Sequence, residues 1–338
     1  MLSRSNFSAS MVMFLLLLPA SAGVAQSQTS PTPERGDLPT FKANANVVNL
    51  FFNVKDKHGL LIPHLTKDDF QVFEDGKPQT IKFFNTETNQ PLTLGILIDS
   101  SASQTRVLEM EKEVGADFLR QVLTDKDLAF VISFDVNVDL LQDFTTSVKD
   151  LKAALERAKI NSGGTGGGPA GLGGGPIPTS NNPRGTLLYD AIWLSSREKL
   201  ATEVGRKALI ILTDGEDQGS QETIKNAVES AQKADAMVYV ILIADRGFYF
   251  SSGMGYGGDR AMRDLARETG ARAIEAGNNE KKLKEAFDQI SAELRSQYSI
   301  GYTSTNTKLD GSFRKVEIKP KQKDYKVQTR SGYYAVSQ

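Results

Sequence analysis

Four continuous apolar runs, separated by stretches of helical spacing, limit this chain more than any other feature. "LTLGILI" (92–98), "LAFVISF" (128–134), "KALIILT" (207–213) and "AMVYVILI" (236–243) are rich in Val, Ile and Leu. A strand wetted on one face alternates apolar with polar residues, whereas a strand of a parallel sheet covered on both faces does not. Between the runs, 107–123 sets Leu108, Val114, Phe118, Leu119 and Val122 on one helical face, and comparable patterns occupy 148–158, 186–198, 220–234, 259–269 and 280–296. Strand–helix alternation of this kind predicts an α/β domain over 91–296, built on a doubly wound, mostly parallel sheet of the Rossmann-like type.

Short strands flank that region on both sides. Before it, in 41–90, come "VVNLFFNV" (47–54), "DFQVFEDG" (69–76) and "QTIKFFN" (79–85), with the Asp-Gly of "EDGKP" supplying hairpin turn chemistry. After it, in 297–338, come "QYSIGYT" (297–303), "FRKVEIKP" (313–320) and "YKVQTRSGYYA" (325–335). The basic residues there alternate with apolar ones, as on the wet face of a sheet. The two β-rich pieces are expected to pair into one small β-sandwich, with the α/β domain inserted in it.

The N-terminus carries export signals. Arg4 lies in a short positive region, "MVMFLLLLP" (11–19) is apolar, and "ASAGVA" (20–25) offers small residues for cleavage after Ala22 or Ala25. Residues 1–25 therefore read as a signal peptide, too short in its apolar part to span a bilayer. The polar, proline-containing 26–40 reads as a disordered lead-in. No stable membrane span is expected after cleavage, and the mature protein is expected in a periplasm or secreted.

Composition closes off several chemistries. A net charge of −1 with no basic stripe gives no reason to expect nucleic acid. There is no cysteine, which excludes disulfides, thiolate zinc sites and a cysteine nucleophile. The only histidines, His58 and His64, lie in or beside loops outside the α/β region, without a companion at metal-ligand spacing. Neither Ser101 nor Ser103 sits in a G-x-S-x-G elbow, so a histidine-assisted serine nucleophile is not expected.

What remains is oxygen chemistry. Asp99, Ser101 and Ser103 follow an apolar strand at its carboxyl end, where open α/β sheets bind ligands, and alternate residues of extended chain point the same way. Asp214 ends a second apolar strand, in "LTDG", although Asp-Gly is also ordinary turn chemistry. Thr186 opens a helical pattern, where an N-cap is its plain reading. Two carboxylates and three hydroxyls form the hard-oxygen set that Mg²⁺, Mn²⁺ or Ca²⁺ prefers.

These residues, in this order, resemble the metal-ion-dependent adhesion site (MIDAS) of von Willebrand factor type A domains. The likeness covers about residues 90–290. The flanks "FQVFEDGKPQTIKFF", "LRSQYSIGYT" and "SGYYA" are similar to a subgroup of exported bacterial proteins carrying that domain. The resemblance implies that Ser101 and Ser103 ligate a divalent cation, Mg²⁺ first, with Mn²⁺ or Ca²⁺ as alternatives. It implies that Thr186 joins directly or through water, and that Asp99 and Asp214 act mostly through water. The remaining coordination position would take an Asp or Glu carboxylate from a partner protein.

The chain departs from the pattern in a Gly-rich insert at 162–185, which also makes Thr165 a rival to Thr186. No Lys-Ser/Thr follows those glycines, so a phosphate cradle is not indicated. "DVNVD" (135–139) imitates a helix–loop–helix calcium loop, but Leu140 and Thr146 stand where Gly and Glu are needed, leaving a turn or strand edge. In the loop 245–259, Phe248, Tyr249, Phe250 and Tyr256 are candidate partner contacts. The expectation is a non-enzymatic, metal-dependent binding module for adhesion or complex assembly. Its rivals are a metal-dependent hydrolase, with Glu216 or Asp217 as the only nearby base candidates, and a scaffold with a vestigial site.

Overall fold

In the computed structural model, residues 47–87, 90–160, 185–244 and 257–335 are described, all within a unit running from Ala45 to Gln338. The expected leader and lead-in, Thr165 and the rest of 161–184, and Phe248, Tyr249, Phe250 and Tyr256 lie outside the described residues.

The chain opens with β1 (Val47–Lys55), β2 (Phe70–Glu74), β3 (Lys77–Gln79) and β4 (Ile81–Glu87). The β2–β3 turn has Asp75 at φ 48° and Gly76 at φ 78°, the two left-handed residues of a tight hairpin that Asp-Gly favours. Next come β5 (Leu92–Asp99), β6 (Leu128–Phe134), β7 (Val138–Thr145), β8 (Arg206–Thr213), β9 (Ala236–Leu242) and β10 (Ala273–Glu275). They form one sheet in the order β10-β9-β8-β5-β6-β7, parallel except for β7.

Helices α1 (Leu108–Val122), α2 (Val148–Arg157), α3 (Leu188–Leu194), α4 (Ile224–Lys233), α5 (Gly258–Glu268) and α6 (Glu280–Arg295) cover both faces. Leu94, Ile96 and Ile98 of β5 pack into the core shared with α1, α2 and α6. Leu97 packs into the other, shared with α3, α4 and α5. The apolar runs are continuous because successive side chains serve two different cores. Gly95 sits where Phe130 and Leu209 on the neighbouring strands fill the space a side chain would need.

The flanking strands build two four-stranded sheets. One has the order β13-β1-β11-β4 and the other β14-β12-β2-β3, with β11 (Gln297–Thr303), β12 (Phe313–Pro320), β13 (Lys326–Thr329) and β14 (Gly332–Tyr334). Each mixes strands from before and after the α/β region. The sheets share an apolar core, in which the Phe52 ring meets Phe70 edge-on at 5.1 Å and stacks on Tyr298 at 5.4 Å. The α/β region leaves after Glu87 and returns at Gln297, and those two residues are paired in register.

Three expectations are corrected. Two sheet strands lie outside the four apolar runs. One is β7, a half-buried edge carrying Asp139 and Asp143, and the other is β10, only three residues long. The segments 79–85 and 325–335 each read as one strand, but each crosses between the sandwich sheets, at Thr80 and at Arg330–Ser331. Helix α3 starts two residues later than expected and continues as a π turn over Ser195–Leu200.

Glu74 and Arg314, each only 2% exposed, form an ion pair inside the sandwich. Tyr302, Tyr333 and Ser304 also donate to the Glu74 carboxylate. Removing one partner of such a pair strands a buried charge. Glu74→Ala is therefore expected to cost about 3–5 kcal/mol by urea denaturation, and combining it with Arg314→Met should restore much of the loss.

Candidate metal centre

The site is assembled at the carboxyl end of the central sheet. β5 delivers Asp99, which is fully buried. Ser100 extends the ladder by one more bond, its N–H donating to Phe134 O at 2.9 Å, and its hydroxyl donates to Asp135 Oδ2 at 3.0 Å. Ser101 then turns back, its N–H donating to Asp99 Oδ1 at 3.0 Å. Ser101 Oγ and Ser103 Oγ lie 3.0 Å apart. The expected convergence of the serines is present, but by a different route. Ser101 is extended, whereas Ser103 lies in a 3₁₀ turn over Ala102–Gln104.

Beside β5, the end of β8 supplies Thr213 and Asp214. Thr213 Oγ1 donates to Asp99 Oδ2 at 2.7 Å and accepts from Gly215 N–H at 3.0 Å. Asp214 is buried, and its Oδ1 accepts from Glu216 N–H at 3.1 Å. Gly215 has φ 88°, and a β-carbon there would lie 3.0 Å from Gly258 O. The Thr-Asp-Gly turn thus needs its glycine both for the backbone angle and for the approach of α5.

Thr186 is held by pairing with the same loop, its N–H donating to Gln218 O at 2.9 Å and its carbonyl accepting from Gln218 N–H at 3.0 Å. Leu187 N–H donates to Asp135 O at 2.8 Å, which ties this segment to the loop that Ser100 contacts. Thr186 does not cap α3. The first amides of that helix go instead to Asp217 Oδ1 and Ser220 Oγ, both 3.1 Å from Tyr189 N. The structure therefore brings Asp99, Ser101, Ser103, Thr186 and Asp214 to one end of the sheet, and the capping role for Thr186 is set aside.

The two base candidates are both engaged in turns. Glu216 Oε1 accepts from the N–H groups of Gly257 and Gly258, at 2.5 and 2.8 Å. Asp217 accepts from Ser220 Oγ at 2.6 Å as well as from α3.

Electrostatically the site is short of positive charge. Burial, reinforced by the neighbouring Asp214 charge, pushes the Asp99 carboxyl up to about 8, against partial relief from the hydrogen bonds of Ser101 and Thr213. Glu111 on α1 is fully buried too, and burial followed by the charges of Asp99 and Asp214 pushes its carboxyl well above the usual range. Sequence reading passed over Glu111 and Thr213. Glu111 had left a signal: it sits three residues after Leu108 and seven before Phe118, on the buried face of an amphipathic helix.

Among the described residues no group of three or more His, Asp or Glu is arranged to hold a metal ion. The oxygen set here relies on hydroxyls for most of its members, and two adjacent buried carboxylates with a hydroxyl pair before them fit a hard divalent cation.

No family model matches the chain, and no curated protein matches it significantly. Solved structures do overlap with it. BatB from Bacteroides thetaiotaomicron is 18% identical, covering 61% of this chain and 100% of that one with a TM-score of 0.43. The vWF domain of the type V pili tip protein Mfa5 from Porphyromonas gingivalis is 12% identical, covering 61% and 95% at 0.45. A proximal thread matrix protein from the mussel byssus, with zinc in its MIDAS motif, is 15% identical, covering 64% and 48% at 0.46. Overlaps of this size decide nothing about the site. The sheet order and the helices on both faces make the central region a doubly wound, mostly parallel α/β fold.

A carboxyl pushed up to about 8 in the folded protein, from an ordinary value of 3.8, keeps its proton in the native state after the unfolded chain has lost it. Its favourable contribution is complete below the lower value and is lost as pH rises through the upper one. Chelator-treated protein should therefore lose stability between about pH 4 and pH 8, and this slope should shrink in Asp99→Asn. Denaturation midpoints of both proteins across that range check it.

Proposed function

We propose that this is an exported, non-enzymatic binding module that captures a carboxylate of a partner protein through a divalent cation. Asp99, Ser101, Ser103, Thr186 and Asp214 would hold the ion, Mg²⁺ in the first instance. The observation that carries the reading is the burial of Asp99 against Asp214, behind two hydroxyls 3.0 Å apart. Such a pair of carboxylates is costly without a cation and favourable with one. When bound between neutral hydroxyls and partly neutralising carboxylates, the ion would supply an electrophilic position that favours an anionic oxygen.

Loops at this end of the sheet would set specificity. Phe248, Tyr249, Phe250 and Tyr256 are proposed as partner contacts, and the flanks of their segment support this. Ile243 N–H donates to Thr213 O at 2.8 Å, and Gly257 N–H to Glu216, so both flanks are fixed to the loop carrying Asp214. A hydrolase reading has less support, because Glu216 and Asp217 are occupied in holding α5 and α3. Export rests on the leader-like residues 1–25. Among the described residues, no helix is long and apolar enough to cross a membrane.

Adding Mg²⁺ or Mn²⁺ to chelator-treated protein should raise its melting temperature, by the equivalent of about 2.7 kcal/mol at a hundredfold excess over Kd. Asp99→Ala should not respond. An identical rise in both proteins would remove the assignment, and no rise in either would favour the vestigial scaffold. Metal-dependent turnover of phosphoesters or peptides would favour the hydrolase. A partner retained on immobilised protein in Mg²⁺ and released by EDTA is the expected outcome.

A further inference from the structure

After the serine pair, the chain carries a group of buried acceptors without donors, at Gln104 and Glu111. A continuous run of turns leads there, with Gln104 N–H donating to Ser101 O, Val107 N–H to Gln104 O and Glu111 N–H to Val107 O, each at 3.0 Å. Gln104 and Glu111 are both fully buried. Neither oxygen of the Glu111 carboxyl has a hydrogen-bond partner, nor does Gln104 Oε1. Gln104 is oriented with its amide nitrogen 3.5 Å from Ser103 Oγ. The nearest basic residue in sequence, Lys112, is committed elsewhere, pairing with Glu109 at 2.7 Å.

Buried acceptors need donors, and a carboxyl with none costs several times an ordinary hydrogen bond. A neutral polar side chain placed here would satisfy one of these oxygens and leave the charge of Asp99 and Asp214 untouched. A hydrated divalent cation answers both needs, because water molecules on the ion donate outward to carboxylates and amide oxygens while the ion neutralises the acids.

We propose that Glu111, seconded by Gln104, is a further part of the metal site, accepting hydrogen bonds from the water shell of the cation and so setting its affinity. The proposal rests on the cation-binding reading above. Glu111 is a positioning residue: it holds the ion's water and makes no contact with the partner.

The role separates from a purely structural one by the sign of two effects. Glu111→Leu removes a buried carboxyl without partners, so the chelator-treated variant should melt at a higher temperature than wild type. The same variant should bind Mn²⁺ more weakly by calorimetric titration, on the order of 10–100-fold. Glu111→Gln keeps one oxygen acceptor and should fall between the two, which preserves the test if the leucine variant folds poorly. The Mn²⁺ electron paramagnetic resonance line shape should change in both variants. If Glu111→Leu and Glu111→Gln bind Mn²⁺ within about twofold of wild type while Asp99→Asn loses binding, Glu111 has no part in the site and the cation reading stands. If wild type itself binds no Mn²⁺, both readings are overturned.

Discussion

The contact between Thr213 and Asp99 is the one on which the rest of the site depends. Parallel pairing sets Ile98 opposite Leu212, and the next residue of each strand is polar. The threonine hydroxyl crosses the gap at 2.7 Å and holds the aspartate at the strand end. That fixes one carboxylate oxygen on β8 and leaves the other to the amide of Ser101, which starts the turn that brings the two serine hydroxyls together. A carboxylate in this position cannot relax toward water. Its charge has to be met by hydrogen bonds, by a proton or by a cation.

Around that contact, the loops are tied to one another more than to solvent. Asp217 and Ser220 cap the first turn of α3, Asp190 of α3 accepts from the amides of Gln221 and Glu222, and Glu216 accepts from the start of α5. Acids that would be candidates for proton transfer in an enzyme are used here to hold loop geometry. The hydroxyls that remain are poor bases and good neutral ligands.

How much of this could be read from sequence varied with how local the cause was. Asp99, Ser101 and Ser103 were legible because a strand end and a spacing of two lie within five residues. Asp214 was legible for the same reason, through the Thr-Asp-Gly turn. The position of Thr186 was ambiguous locally, since the groups that free it from capping lie about thirty residues further on, at Asp217 and Ser220. Strand β7 escaped because its charged residues break the apolar run that marked its neighbours, and β10 because three residues carry no period. The crossings at Thr80 and Arg330 were invisible for a related reason: each half-strand has ordinary strand composition, and only the pairing partners decide the sheet. Glu111 was a different kind of miss. Its helix pattern is plain in the sequence, and an acid among the buried residues of that apolar face is a departure from it that marks a role beyond packing.

The paired exit and return of the α/β region has a mechanical meaning. Glu87 of β4 and Gln297 of β11 face each other in one ladder, so some two hundred residues between them form a closed side branch. Tension carried along the flanking strands would pass from β4 to β11 through that ladder, and the binding end of the central sheet would hang off the line of force. Lys55 on β1 and Arg272 reinforce the junction by gripping Glu293 of α6, at 2.8 and 2.6 Å. In an adhesive setting, load could then stretch the sandwich while the geometry of Asp99, Ser101 and Ser103 stays unstrained.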